Sequence, residues 1–391
     1  MGPHILKESN NYNPTFSNTY SLCQVEIIIF KMWSHLPFDL LSIVFSYLSA
    51  NSLACAKSVC HHWHTCTTNA APPEGRQRHP AWFLAMATRG QGQFCYVHNS
   101  IHKSWHKIPI DFIPTSCRLI GSINGIVLLK LTNTTMIQLA VCNPFTRQFR
   151  YLPMLNISRT NPAVGIVEFD KSSNLLSNGY RVYVAGGMSE ASSGGATYEP
   201  SLEMYDSVRK TWEIVGSMPV EFAVRLTVWT PNESVFCNGV LYWVTSARAY
   251  TVMSFNIGSN KWGEISVPMA DRLEFATLVR RNGKLVLVGG TCNGHYCIWE
   301  LIKDQEWRVI EEVPFGLAKR FLGGNSTKCV GIDGAIYHYK DLGSGMIVWS
   351  EEIKKGKWEW NWIEGGCPKM EVHNLAIRGL LLHPNLFPSM F

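Results

Sequence analysis

Residues 33–63, WSHLPFDLLSIVFSYLSANSLACAKSVCHHW, decide the reading of this chain. Behind Leu36-Pro37, the apolar residues Leu40, Leu41, Val44, Phe45 and Leu48 recur at helical spacing and mark one apolar face. Pro37 suits a first helical turn, where its missing N–H costs nothing. Ser49, Asn51 and Ser52 offer capping side chains ahead of a second stripe of Leu53, Ala56, Val59, Cys60 and Trp63. Two or three helices this short cannot bury all of these side chains among themselves. Part of the apolar surface is therefore expected to face a partner.

The spacing Leu36-Pro37-x-x-Leu40-Leu41, Ile43-x-Phe45-x-x-Leu48, Leu53 and Val59-Cys60-x-x-Trp63 resembles an F-box. That module docks proteins onto the Skp adaptor of a cullin-based ubiquitin ligase. The resemblance implies that Leu36, Pro37, Leu40, Ile43, Leu48, Val59 and Trp63 form the adaptor-binding surface. A helical hairpin that caps its own β domain would show the same periodicity.

Working outward, the rest of the chain has a different character. The 391 residues are 46% hydrophobic, only 16% charged and 12% aromatic, as expected of a well-buried globular protein of two or three domains. The net charge of +6 comes without a basic run dense enough to expect direct nucleic-acid binding. No apolar run approaches the roughly 20 residues needed to span a bilayer. The 12 cysteines form no C-x-x-C and fit no zinc template. With no secretory signal at the start, they are expected to be reduced thiols of a nuclear or cytoplasmic protein. Residues 1–31 read as a loose tail, 32–66 as the F-box, 67–80 (TTNAAPPEGRQRHP) as a linker, and 81–391 as a second domain.

That second domain repeats. Asn124-Gly125, Asn238-Gly239, Asn282-Gly283 and Asp333-Gly334 sit between apolar runs and predict β-hairpins. Double glycines follow at Gly186-Gly187 and Gly289-Gly290. An Asn or Asp precedes an aromatic by six residues at Asn99/Trp105, Asn143/Phe149, Asp206/Trp212 and Asn256/Trp262. Trp307 and Trp358 continue the series with the acidic or amide partner lost. A proline comes soon after five of the aromatics, at Pro109, Pro153, Pro219, Pro268 and Pro314. The aromatics are 44, 63, 50, 45 and 51 residues apart, room for four short strands each.

The fold class predicted is thus a small helical domain followed by an all-β propeller of about six four-stranded blades. The first unit lacks a strand, and residues 373–383 (HNLAIRGLLLH) are expected to supply it from the far end. The Asp-x5-Trp beat and double glycines resemble kelch repeats, and the whole chain resembles the plant F-box/kelch-repeat family, its floral-organ regulators included. The tryptophans are expected to pack between blades.

No G-x-S-x-G, H-E-x-x-H or G-x4-G-K-[ST] occurs, so neither catalysis nor a cofactor is expected. Cys60 and His64 lie four apart on a helical pattern, yet a structural metal takes four well-spaced ligands, and none is expected here. One charge pattern stands out. Arg159, Arg225 and Arg320 each follow a proline by six residues, Arg272 follows Pro268 by four, and Arg248 and His295 fall in loops between second and third strands. Such loops share a propeller face with the inter-blade loops. Together they predict a basic collar that takes an acidic or phosphorylated segment of a client protein. The expected role is therefore the client-recognition subunit of a Skp–cullin–F-box ligase. A non-degradative transcriptional co-regulator and a kelch-propeller enzyme are the alternatives.

Overall fold

A computed structural model describes residues 36–48, 50–69, 80–88, 93–114, 116–123, 125–168, 179–228, 234–291, 295–302, 306–321, 327–352, 356–365 and 375–386. The tail read at 1–31 lies outside them. The chain divides into two compact units, Met1–Arg76 and Gln77–Phe391.

In the first unit, α1 (Phe38–Ser46) follows Pro37, which takes the N-cap position just outside the first turn. The Leu41 amide donates to the Pro37 carbonyl at 3.1 Å. The second apolar stripe is not one helix. It breaks at Cys60 into α2 (Ala50–Val59) and α3 (His61–Asn69). Asn51 and Ser52 thus lie inside the first turn of α2, while Ser49 is outside the described residues. Helix α3 runs three residues into the stretch read as linker, because Thr67 is buried and its hydroxyl donates to the His64 carbonyl. Leu41, Phe45, Leu53, Ala56 and Cys66 form the interior, with Phe45 edge-on to Trp63 at 5.1 Å.

The second unit is a six-bladed propeller of four-stranded antiparallel sheets. Blade 1 holds β1 (Trp82–Ala87), β2 (Phe94–Asn99) and β3 (Ser104–Pro109). Blade 2 holds β4 (Cys117–Ile123), β5 (Ile126–Leu131), β6 (Leu139–Asn143) and β7 (Gln148–Tyr151). Blade 3 holds β8 (Ala163–Glu168), β9 (Tyr180–Ala185), β12 (Ser201–Asp206) and β13 (Thr211–Ser217), with a small hairpin of β10 (Met188–Glu190) and β11 (Ala196–Tyr198) inserted. Blade 4 holds β14 (Val235–Cys237), β15 (Val240–Thr245), β16 (Thr251–Asn256) and β17 (Lys261–Ser266). Blade 5 holds β18 (Leu273–Arg281), β19 (Lys284–Thr291), β20 (Tyr296–Leu301) and β21 (Trp307–Glu312). Blade 6 holds β22 (Lys328–Ile332), β23 (Ala335–Tyr339), β24 (Met346–Glu352) and β25 (Lys357–Ile363). Two helices, α4 (Val220–Val228) and α5 (Phe315–Phe321), lie in the links from blade 3 to 4 and from blade 5 to 6.

The strand missing from blade 1 comes from the C-terminal end, as expected. Strand β26 (Ile377–Leu382) pairs antiparallel with β1, from Trp82 opposite Leu382 to Ala87 opposite Ile377. The innermost strands β4, β8, β14, β18, β22 and β26 touch in sequence and close the ring. Gly379 is needed at this closure, since a Cβ there would lie 2.4 Å from the Phe83 ring.

The recurrent residues explain themselves. Asn99, Asn143, Asp206 and Asn256 each accept backbone amides two or three residues ahead, pinning the turn before the outer strand. Four residues on, Lys103, Arg147, Lys210 and Asn260 adopt positive φ of 50° to 60° and relaunch the chain. The aromatic then lands on the outer strand and reaches the preceding blade. The indole N–H of Trp212 donates to Pro153 O at 2.9 Å, that of Trp307 to Ser266 O at 2.7 Å, and that of Trp105 to Glu364 O at 3.2 Å. Trp358 stacks under Arg281 of blade 5 at 4.3 Å. Asn238-Gly239 and Asn282-Gly283 have φ near 50° and 70–80°, the hairpin turn their sequence predicts.

Candidate functional site

Helix α1 is apolar on two sides. Leu41 and Phe45 point inward. Leu40, Ile43, Val44 and Tyr47, at spacings of three, one and three, form a second stripe that faces outward. Leu40 is 48% exposed and Ile43 55%. Pro37, Phe38 and Val59 are exposed too, while Leu36, Leu48 and Trp63 are half-buried. Of the seven residues expected to contact an adaptor, four are open and three straddle the interior. The sequence reading put Leu40, Leu41, Val44, Phe45 and Leu48 on one face and left Phe38, Val44 and Tyr47, all exposed, out of the adaptor contacts, although Val44 lies four residues from Leu40 and Tyr47 four from Ile43.

In the propeller, antiparallel alternation brings the inter-blade links and the second-to-third-strand loops to one face. The six residues of the expected collar do not make one set there. Arg159 is fully buried and is not available to a client. Its guanidinium donates to the carbonyls of Gly186 and Ser201, to the Ser201 hydroxyl at 2.8 Å and to Glu203. Glu203 in turn accepts the amides of Asn156 and Ile157. The pair clamps the blade 2–3 link onto β12. Burial pushes the Arg159 pKa down while the neighbouring carboxylates Glu203 and Glu199 oppose that. The signal for such a pair was Glu203 itself, a carboxylate between Leu202 and Met204 in an apolar strand, which demands a buried cation.

Arg225, on α4, is ion-paired with Glu264 of β17. Arg248, Arg272 and His295 are exposed. Arg320 lies on α5, its side chain outside the described residues. On the same face, the β10–β11 hairpin is held by Ser189, whose hydroxyl donates to buried Glu199 at 2.7 Å.

Another pattern fills this face. The residue straight after the proline is a large exposed apolar side chain in four successive links: Met154, Val220, Met269 and Phe315. Phe315 is 78% exposed. These residues follow the outer strands, so they stand on the rim. On the opposite face, a cavity of about 320 Å³ opens between blades 3 and 4, but the charges lining it are paired as Arg181–Asp206 and Arg209–Glu213.

Known proteins place both units. Residues 33–70 match the F-box-like model, and residues 101–309 match the F-box associated beta propeller domain. An Arabidopsis thaliana F-box/kelch-repeat protein is 23% identical over 92% of this chain and 89% of its own. Protein UNUSUAL FLORAL ORGANS of the same plant is 24% identical over 58% of this chain and 51% of its own length. SKP1-interacting partner 15, also from Arabidopsis thaliana, is 20% identical over 84% of this chain and 92% of its own. The propeller match alone spans more than half of the 391 residues, and the chain belongs to the F-box proteins that carry an F-box associated β-propeller.

Proposed function

We propose that this protein is the client-recognition subunit of a Skp–cullin–F-box ubiquitin ligase, with the α1 surface docking the adaptor and the loop face of the propeller holding the client. The observation that carries the reading is the outward stripe of Leu40, Ile43, Val44 and Tyr47 on a helix whose other side is already packed. A short helix gains nothing in water from a second apolar side, and a protein partner is what such a surface fits. A relative named as a SKP1-interacting partner supports the same direction. F-box proteins are in general non-catalytic adaptors, so the chain contributes proximity between client and ubiquitin-conjugating enzyme rather than a nucleophile. On the client side, the apolar rim of Met154, Val220, Met269 and Phe315 offers contact area, with Arg248, Arg272 and His295 as polar contacts beside it.

The experiment is reconstitution. The full chain is assembled with a Skp adaptor and cullin, proteins retained by it from cells are identified, and their ubiquitination is followed in vitro and after proteasome inhibition in cells. The reading expects retained proteins to be ubiquitinated only in the assembled complex and to accumulate under inhibition. Retained proteins that are neither ubiquitinated nor stabilised would instead favour a non-degradative binding platform.

A further inference from the structure

Three innermost strands in a row begin with a cation at the loop face: Lys328 opens β22, Arg378 is second in β26, and Arg118 is second in β4. Lys130 joins them as the direct cross-strand partner of Arg118. Like charges opposite one another in a sheet repel. The Lys328 ammonium donates to the carbonyl of Ile377 at 2.6 Å, which brings it onto the backbone next to Arg378. Lys130 reaches Asn161, in the blade 2–3 link, at 3.4 Å. Among the described residues, Arg118, Lys130 and Lys328 form no ion pair with a carboxylate. By contrast, the buried Glu300 alone gathers Arg281, Lys284 and Arg308. Glu274 is second in β18, so the positive side of the ring is confined to blades 6, 1 and 2.

Burial lowers the pKa of all four cations, and the Arg118 charge lowers Lys130, Lys328 and Arg378 further, Arg378 to about 9. A fold that holds like charges side by side, without a carboxylate between them, gains when an anion joins them. A doubly charged oxyanion with several acceptor oxygens suits a mouth that offers two guanidinium and two ammonium groups from three blades.

We infer that the mouth of the propeller channel, formed by Arg118, Lys130, Lys328 and Arg378, binds a phosphorylated side chain of the client protein, while the apolar rim holds the residues around it. This rests on the receptor reading above for the presence of a client. The outward order of the face is then phosphate at the centre and apolar contacts at the edge, in place of the collar the sequence suggested.

The test uses the full chain bound to a Skp adaptor. The probes are a fluorescent degenerate phosphoserine peptide pool, its unphosphorylated twin, and inorganic phosphate as competitor, read by anisotropy. The phosphorylated pool is expected to bind more tightly, to weaken with salt, and to lose about tenfold or more of its affinity in an R118E/K328E variant. Because charge reversal can disturb the mouth, R118Q and K328Q are read beside it; Arg118 is exposed and its loss removes a repulsion. Lys261→Glu, exposed at the start of β17 on the other face, is the control expected to bind normally. Equal binding of both pools, or unchanged binding in R118Q and K328Q, overturns the inference. Competition by inorganic phosphate at the same concentration as the peptide pool also overturns it, since the site would then be one for a free anion. Adaptor retention is scored separately. Adaptor bound without phosphopeptide defeats this inference and leaves the receptor reading standing; phosphopeptide bound without adaptor does the reverse.

Discussion

The helical unit and the propeller treat their apolar residues in opposite ways. The propeller buries the apolar residues of its inner strands and spends its tryptophans on neighbouring blades, so that Trp105, Trp212 and Trp307 tie the outer strands of blades 1, 3 and 5 to the blade before each. The helical unit leaves Leu40, Ile43, Val44 and Val59 in the open. The same residue types are therefore packed inside the blades but left open on α1 and, in the propeller, at the rim of Met154, Val220, Met269 and Phe315. What separates them is whether the fold has a second surface to press them against. Substitutions should split along that line.

The largest effects are expected in the propeller and should be structural. Replacing Arg159 by Ala leaves Glu203 charged and buried without its cation, and is expected to cost about 3–5 kcal/mol in urea unfolding. Trp212→Ala removes a buried indole and its bond to Pro153 O, with a similar loss of about 3–5 kcal/mol. A loss below about 1 kcal/mol in either variant would break the contrast, because the blade links would then not depend on these contacts.

A smaller effect is expected with acid. His338 is buried against Tyr296, its Nδ1 within hydrogen-bond distance of the hydroxyl, and burial holds its pKa down to about 3, against an ordinary 6.5. His98 is held at about 4 by burial and by the nearby His106. Both must be neutral in the fold, while the unfolded chain takes up their protons below pH 6.5. The stability they contribute is therefore complete above that pH and falls as pH drops towards 4, by up to about 1.4 kcal/mol per pH unit for each ring. Urea midpoints between pH 7 and 4.5 measure it, and a flat profile would show that the rings are open to water.

The smallest structural effect is expected at the adaptor face. L40D/I43D changes a surface that touches little of its own chain, so its unfolding free energy should stay within about 0.5 kcal/mol of the parent per site. A larger loss would mean that the stripe serves the fold and not a partner.

Much of the architecture is written locally, which is why it could be read. An Asn that caps its own turn and an aromatic six residues on act within one hairpin, so their rhythm survives in sequence even where Leu301 and Glu352 have replaced the cap. Strand β26 was legible because blade 1 lacked a strand and 373–383 had no other sheet to join. The failures share a cause, which is dependence on distant register. Arg159 and Arg225 look alike beside their prolines, but only Arg159 meets a buried carboxylate, 44 residues away in blade 3. Arg118 faces Lys130 only because a bulge between Leu119 and Gly121 shifts the pairing; counting back from the Ile123–Ile126 turn sets Lys130 opposite Leu119. The rim of Met154, Val220, Met269 and Phe315 was available as the residue after each proline, but an apolar side chain there looks like core until the fold shows it in the open.

The central claim is that the second apolar side of α1 exists for an adaptor, and binding of the full chain to a Skp adaptor, parent against L40D/I43D, tests it most directly. The account predicts stable co-purification of the parent and its loss in the variant, with the unfolding midpoint of the variant unchanged. Failure of the folded parent to retain the adaptor, or equal retention by parent and variant, would contradict it.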